Sequence, residues 1–306
     1  MPLLKMLRAR FLERPLPSAV FELRPDRLSG FRVSGKGQPG RGRFVLSLDR
    51  GLLTPSFDRP NVVGASGLGV AVEQGKDALG LGGGTVSLLV PEPAVRVFIL
   101  PVESLPAVPE ERESFLRWRV GKLMPLLPDD LRLAHDAPSG VHSGKIIVAA
   151  AREAVLREYE GLFEAAGLRV GAVTVPTLSL ANLRGGPGGN GILLHADADR
   201  LVFLAIMDSE WTLYRQKGIG ADLDPRRRGD VIVQEVENTV HFLEDKERKK
   251  VERIWVHTEE ADEPSGIASR LKGALPLPVE LVDYEAPEDW SAREKAALAP
   301  LMGQIA

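Results

Sequence analysis

The sequence predicts an α/β layered protein in which a single order of elements occurs twice. Three observations carry this. Each half opens with three segments of strand period in the order of a meander, and each continues as helix, strand, helix. A glycine-rich run, Gly185-Gly186-Pro187-Gly188-Gly189-Asn190, separates the halves. The length of 306 residues suffices for two domains, each with its own core.

In the first half, Leu3, Leu4, Leu7, Phe11 and Leu12 recur at helical spacing among Lys5, Arg8, Arg10 and Arg14. Such a basic amphipathic segment covers the protein's own core, frays, or rests weakly on an anionic membrane through residues 1–14. Ala19–Arg24 and Leu28–Ser34 alternate as strands around the turn Pro25-Asp26-Arg27, and Arg43–Asp49 follows a Gly/Pro loop. The stretch Asn61–Leu79 is a poor helix candidate because Gly64, Gly67, Gly69 and Gly75 weaken it. Thr85–Val90 and Ala94–Leu100 read as strands. Pro109–Met124 reads as a helix, with Glu110 and Glu111 in its first turn and Pro125 as its stop. Strands at Leu131–His135 and Lys145–Ala150 precede a helix over Arg152–Ala166, which Gly167 ends. Strand Arg169–Val175 and a short helix Thr177–Leu183 close this half.

The second half restarts the meander with Ile192–Ala196, Leu201–Met207 and Glu210–Gln216. A helix over Gly229–Glu244, strand Arg253–His257, helix Pro264–Lys272, strand Val279–Tyr284 and helix Trp290–Met302 complete the order.

Composition narrows the function. A net charge of -3 lacks the electrostatic footprint of a nucleic-acid binder. The absence of cysteine excludes disulfides, thiol catalysis and Cys-ligated metals. No apolar run approaches the roughly 20 residues of a spanning helix, so a cytoplasmic protein is expected.

Local motifs are weak. Gly30 to Gly37 matches G-x-x-x-x-G-K, but Gly37 replaces the Ser or Thr that would hold Mg²⁺, and Gln38-Pro39-Gly40 follow instead of a helix. Gly80, Gly82, Gly83 and Gly84 precede a strand and fit a turn better than a dinucleotide fingerprint. The five histidines form no H-x-H or H-x-x-x-H pair, and no G-x-S-x-G elbow occurs. Asp197-Ala198-Asp199-Arg200 reads as a turn, or as a carboxylate pair for a hydrated metal at a phosphate site.

The duplicated order is that of the actin-like ATPase fold, with its two ribonuclease H-like lobes. The middle segment adds more. Val95–Pro101, then Glu110-Glu111-Arg112 through Arg117-Trp118-Arg119-Val120-Gly121-Lys122-Leu123-Met124-Pro125, resembles the PilM-like proteins of type IV pilus assembly. Lys145–Leu168 and Val173–Ala181 continue the resemblance, which runs from about Ala19 to Tyr284 and extends to the GspL cytoplasmic domain and FtsA-like proteins. It implies a first lobe of residues 19–93 and 168–184, an inserted α/β subdomain at 94–167, a linker at 185–190 and a second lobe at 191–306. Residues 1–18 form the basic segment.

It also implies a scaffold at the cytoplasmic side of the inner membrane that binds the N-terminal peptide of a PilN-like bitopic protein. In that family the peptide lies in a groove between the first lobe and the insert, and the resemblance implies the same here. On the insert helix, Phe115 and Trp118 are apolar enough to anchor a peptide or to join the subdomain's core. The sequence departs from the nucleotide motifs of this fold. Glu22-Leu23-Arg24-Pro25-Asp26 stands where the first phosphate loop carries glycine. His195-Ala196-Asp197-Ala198-Asp199 occupies the second loop, and Thr258-Glu259-Glu260 replaces the adenosine glycines. Only about ten residues stand between Gly218-Ile219-Gly220 and the long helix, where a nucleotide-clasping subdomain is usual. Glu22, Asp197, Asp199, Glu259 and Glu260 therefore mark degenerate positions, and no cofactor is expected. ATP with Mg²⁺ in an altered ATPase or switch is the alternative, and a GspL-like type II secretion component is another. No nucleic-acid partner is expected.

Overall fold

The computed structural model describes residues 16–124, 128–136, 144–184, 189–220, 223–259 and 266–306. The basic segment 1–14, Pro125, most of the linker, Glu260 and Pro264 lie outside the described residues. Two compact units emerge: Met1–Asn182 with Pro300–Ala306, and Leu183–Ala299.

In chain order the first unit contains β1 (Ala19–Leu23), β2 (Arg27–Val33), β3 (Pro39–Ser47), α1 (Ala65–Ala78), β4 (Gly84–Leu89), β5 (Arg96–Val102), α2 (Pro109–Gly121), β6 (Leu131–Asp136), β7 (Gly144–Arg152), α3 (Glu153–Ala165), β8 (Leu168–Thr174) and α4 (Pro176–Leu180). Its main sheet has the order β3-β2-β1-β4-β8, antiparallel through the meander and parallel from β1 to β4 to β8. Strands β5, β7 and β6 form a separate antiparallel sheet.

The second unit contains β9 (Gly191–Ala196), β10 (Arg200–Met207), β11 (Glu210–Gly218), α5 (Pro225–Glu247), β12 (Arg253–Thr258), α6 (Ile267–Ala274), β13 (Val279–Leu281) and α7 (Ala292–Met302), whose end belongs to the first unit. Its sheet order, β11-β10-β9-β12-β13, repeats that of the first unit strand for strand. Even the parallel and antiparallel pairings correspond.

Helix α1 forms despite its glycines. Leu68, Ala71, Val72 and Gly75 face the sheet, and at Gly75 a Cβ would lie 2.5 Å from the Phe44 ring. The missing side chain lets helix and sheet approach, and the burial of Leu68 and Val72 outweighs a helix penalty of about 1 kcal/mol per glycine. Phe44 in turn meets Phe21, which meets Phe163 edge-on at 5.2 Å.

Several boundaries shift for identifiable reasons. Helix α5 starts at Pro225, before the expected Gly229, because the Asp224 carboxylate accepts from the N–H groups of Arg226 and Arg227. Helix α7 starts at Ala292 because Ser291 and Glu294 cap each other reciprocally. Helix α2 ends at Gly121, short of Met124.

The insertion is also smaller than residues 94–167. Val155, Leu156, Tyr159, Leu162 and Phe163 of α3 are buried in the first lobe's core with Phe21, Leu68 and Leu88. The inserted subdomain is therefore β5, α2, β6 and β7. One side of its sheet packs through Leu100, Ile146 and Val148 against Leu116 and Val120 of α2.

Candidate functional site

The exposed face of α2 is the first part of the site. Phe115 and Trp118 sit three residues apart, so they share a helical face, with ring centroids 6.2 Å apart. Phe115 is half-buried against the insert core. Trp118 is 54% exposed, with the Lys122 ammonium 3.7 Å from its ring centroid. Leu123 is exposed just beyond the helix. The two candidate anchors thus divide: Phe115 belongs partly to the core, and Trp118 presents an indole to solvent. Arg117 donates to the Leu131 carbonyl at 2.8 Å and Arg119 to that of Pro101, fixing the helix on its sheet.

The second part is the junction between insert and first lobe. The loop after β3 reaches the same side of the insert sheet that α2 covers, where Phe57 is buried with Leu131 and Ala150. Asn61 organises this loop and is fully buried. Its Oδ1 accepts from the Ser56 N–H (2.5 Å) and the Tyr159 hydroxyl (3.2 Å), and its Nδ2 donates to the carbonyls of Ser56 and Arg59 (2.8 Å each). Glu158 of α3 accepts the N–H groups of Asn61 and Val62 at 2.7 and 2.8 Å. Burial, and secondarily the Glu158 charge, pushes the Tyr159 phenol above its ordinary range, so it stays a neutral donor.

Ion pairs tie the insert to α3. Arg132 of β6 forks onto both oxygens of Glu153 at 2.8 Å and also reaches Glu160. That bond holds the Glu153 carboxyl below its usual range. Arg152 pairs with Asp130 at 3.0 Å and donates to the Asp58 carbonyl, joining β7 to the Phe57 loop. Sequence reading missed Asn61, which it placed at the start of a weak helix. The turn-forming residues Ser56, Asp58, Pro60 and Asn61 were the available signal.

Three of the degenerate positions, Glu22, Asp197 and Asp199, lie at two hairpins. In the first unit, Glu22 is fully buried with Arg27 Nη2 3.6 Å from its carboxylate, and Arg24 approaches Asp26 at 3.4 Å. In the second unit, Asp197–Asp199 form the turn between β9 and β10. The Asp197 N–H donates to the Arg200 carbonyl, and the Ala198 N–H to the Asp197 carboxylate at 2.7 Å. Arg228 of α5 donates to the Asp197 carbonyl at 2.8 Å. Burial lowers the Arg228 pKa, and the Asp197 charge opposes that shift. Glu259 follows β12, whose Thr258 pairs in register with Ala196, so Asp197 and Glu259 emerge at the same end of neighbouring parallel strands.

Beneath them His195 and His257 are buried with their Nδ1 atoms 2.8 Å apart. His257 Nε2 donates to the Ala296 carbonyl at 3.0 Å. That carbonyl lacks its usual helical donor because Pro300, four residues on, has no N–H. Among the described residues no group of three or more His, Asp or Glu side chains is placed to hold a metal ion.

No protein-family model and no curated protein matches the sequence. Solved structures do resemble the fold. A structure described as the PilM-PilN type IV pilus biogenesis complex matches with TM-score 0.74 and 17% identity, over 95% of this chain and 97% of that one. A Bacteroides thetaiotaomicron protein with an actin-like ATPase fold and unknown function matches with TM-score 0.54 and 10% identity, over 89% and 92%. The cytoplasmic domain of EpsL, an inner-membrane component of the Vibrio cholerae type II secretion system, matches with TM-score 0.50 and 13% identity, over 94% and 93%. The fold is the duplicated actin-like one.

Proposed function

We propose that the protein is a PilM-like scaffold of a type IV pilus or related secretion platform at the inner membrane. It binds the N-terminal cytoplasmic peptide of a PilN-like bitopic protein and does not use ATP. The observation that carries this reading is the end-to-end likeness to the PilM-PilN structure, inserted subdomain included. The exposed Trp118 gives the insert an anchor of the kind that dominates peptide interfaces.

The expected result is that the intact protein retains such a peptide in a pull-down, and that Trp118→Ala weakens binding by about 30-fold or more. The exposed indole contributes little to folding, so the variant's melting temperature stays near that of the parent. Retention unchanged by Trp118→Ala moves the contact off this helix. No retention by the intact protein removes the reading.

The chemistry of the second unit's β9–β10 turn supports the absence of a bound nucleotide. Two N–H groups of the second turn are engaged within the turn, and Asp197 and Asp199 add negative charge where a triphosphate would sit. Millimolar Mg-ATP is therefore expected to leave the melting temperature unchanged. A ligand at 100 times its dissociation constant would add about 2.7 kcal/mol, and a shift of that size would establish the ATPase or switch instead. The EpsL likeness favours the second reading, a type II secretion component.

A further inference from the structure

Strands β9 and β12 run parallel with His195 opposite His257. Side chains in register on neighbouring strands share a face. The other face of these strands carries Ile192, Leu194, Ile254 and Val256 into the second unit's main core. The two imidazoles therefore stand together on the face that α7 meets, since His257 Nε2 donates to the Ala296 carbonyl. Both side chains are buried, at 2% and 3% exposure, with ring centroids 4.9 Å apart. Neither ring has a part in the scaffold role proposed above.

The contacts fix where the protons sit. With its Nε2 as donor, a neutral His257 leaves Nδ1 bare, so His195 supplies the proton between the two Nδ1 atoms, 2.8 Å apart. One added proton, on His195 Nε2, keeps that bond but leaves a cation buried. A second has only His257 Nδ1 to occupy, where two N–H groups would face each other across 2.8 Å. The rings must then separate. Moving His257 takes it away from the Ala296 carbonyl, for which Pro300 supplies no helical donor.

Among the described residues, the surrounding charges do not remove this conflict. Asp197 and Glu259 follow two residues on along the same two strands, and their charge favours the first added proton. Arg184, held over the rings of Trp255 and Trp211, opposes it. Burial lowers the Arg184 pKa to about 10, so it stays a cation in neutral and mildly acidic solution. On α7, Lys295 pairs with Asp283 at 2.6 Å and holds that carboxyl below its usual range. Glu294 is engaged with Ser291, and Arg293 is exposed. On β10 the residue opposite His195 is the apolar Val202. The first added proton thus depends on the local field. The second meets the N–H conflict whatever that field is.

We propose that the His195–His257 pair is a pH-sensitive latch, which holds α7 on the second unit's sheet at neutral pH and releases it on acidification. Below about pH 6.5 the opened segment binds a proton on each histidine, whereas the closed one refuses at least one of them. Closure is therefore fully favoured above that pH and weakens as the pH falls below it. Helix α7 leads directly into Pro300–Ala306, which belongs to the first unit, so the latch acts where the chain passes from one unit to the other. The inference depends on neither the partner peptide nor ATP.

The test is hydrogen exchange of the full chain, read as protection factors for the amides of Ala296–Ala299. Between about pH 6.5 and 5, one refused proton lowers protection about 16-fold and two lower it about 250-fold. Helix α3 and strand β4 of the first unit should keep their protection. His195→Asn places an amide where Nδ1 stands. Its N–H donates to a neutral His257, and its oxygen accepts from a protonated one. The loss of protection in this variant should be at least about fourfold smaller than in the parent. Nitrogen NMR shifts of the parent's imidazoles give a readout that needs no variant. They should show His195 protonated at Nδ1 and His257 at Nε2 near pH 7, with no doubly cationic pair while α7 stays protected. Protection of α7 unchanged by acid, or lost equally in α3, overturns the proposal. So does a folded chain with both rings cationic and α7 closed, or a His195→Asn protein with the parent's pH dependence.

Discussion

Asn61→Ala is expected to destabilise the first unit by about 4 kcal/mol. The side chain is fully buried and makes four hydrogen bonds, so truncation strands two carbonyls, one N–H and the Tyr159 hydroxyl. At about 1 kcal/mol for each group left without its partner, the total reaches the upper end of single-substitution effects. For a unit of this size the melting temperature falls by roughly 10 °C. The damage should be local. Hydrogen exchange should accelerate in residues 51–63 and in the inserted β5–β7 sheet, whose Phe57 seat depends on the loop, while α5 and β12 keep their protection. Equal loss of protection in both units, or a change below 1 kcal/mol, would refute this account of the junction.

Gly303→Ala should cost about 3 kcal/mol by a different route. A Cβ at Gly303 would stand 2.0 Å from the Ser179 carbonyl oxygen, and a backbone carbonyl has no rotamer with which to retreat. Three further bonds hold this segment on α4: Ser179 Oγ to the Pro300 carbonyl (2.5 Å), Asn182 Nδ2 to the Gly303 carbonyl (2.7 Å) and Gln304 Nε2 to Ser179 Oγ (2.9 Å). Displacing the chain forfeits them. Limited proteolysis should cut the variant after Ala299 at protease levels that leave the parent intact. An Asn182→Ala control loses one bond and should show a smaller effect. A Gly303→Ala protein as resistant as its parent would mean that the segment can shift without losing its seat.

Both results rest on contacts that sequence periodicity does not encode. The meanders were legible because Phe21, Leu23 and Leu28, like Leu201, Phe203 and Ala205, fall at strand period on one buried face of their sheet. Their duplication was legible for the same reason, and the identical sheet orders bear it out. Helix α1 was not, since its stability comes from the approach of Gly75 to Phe44, 31 residues away in sequence. The insert's edges were misplaced because α3 follows β7 without a break. Nothing in a linear pattern states that Tyr159 and Phe163 turn toward a different core from Ile146 and Val148. Trp118 could not be assigned to solvent or core from spacing alone, because the same i, i+3 relation to Phe115 suits both. Asn61 escaped for a related reason: its partners Tyr159 and Glu158 are almost a hundred residues distant.

The first unit is completed by Pro300–Ala306, made 118 residues after Asn182. Synthesis proceeds at about 5–20 residues per second, so roughly 6–24 s separate the first unit's last internal residue from the strap that closes it. During that interval Ser179 and Asn182 lack their partners in Pro300–Ala306, while the second unit already has its own core to collapse around. The order of maturation is thus inverted with respect to the order of synthesis. A surface that depends on the finished first unit becomes available only after Pro300–Ala306 have been added, well after Asn182 has been made.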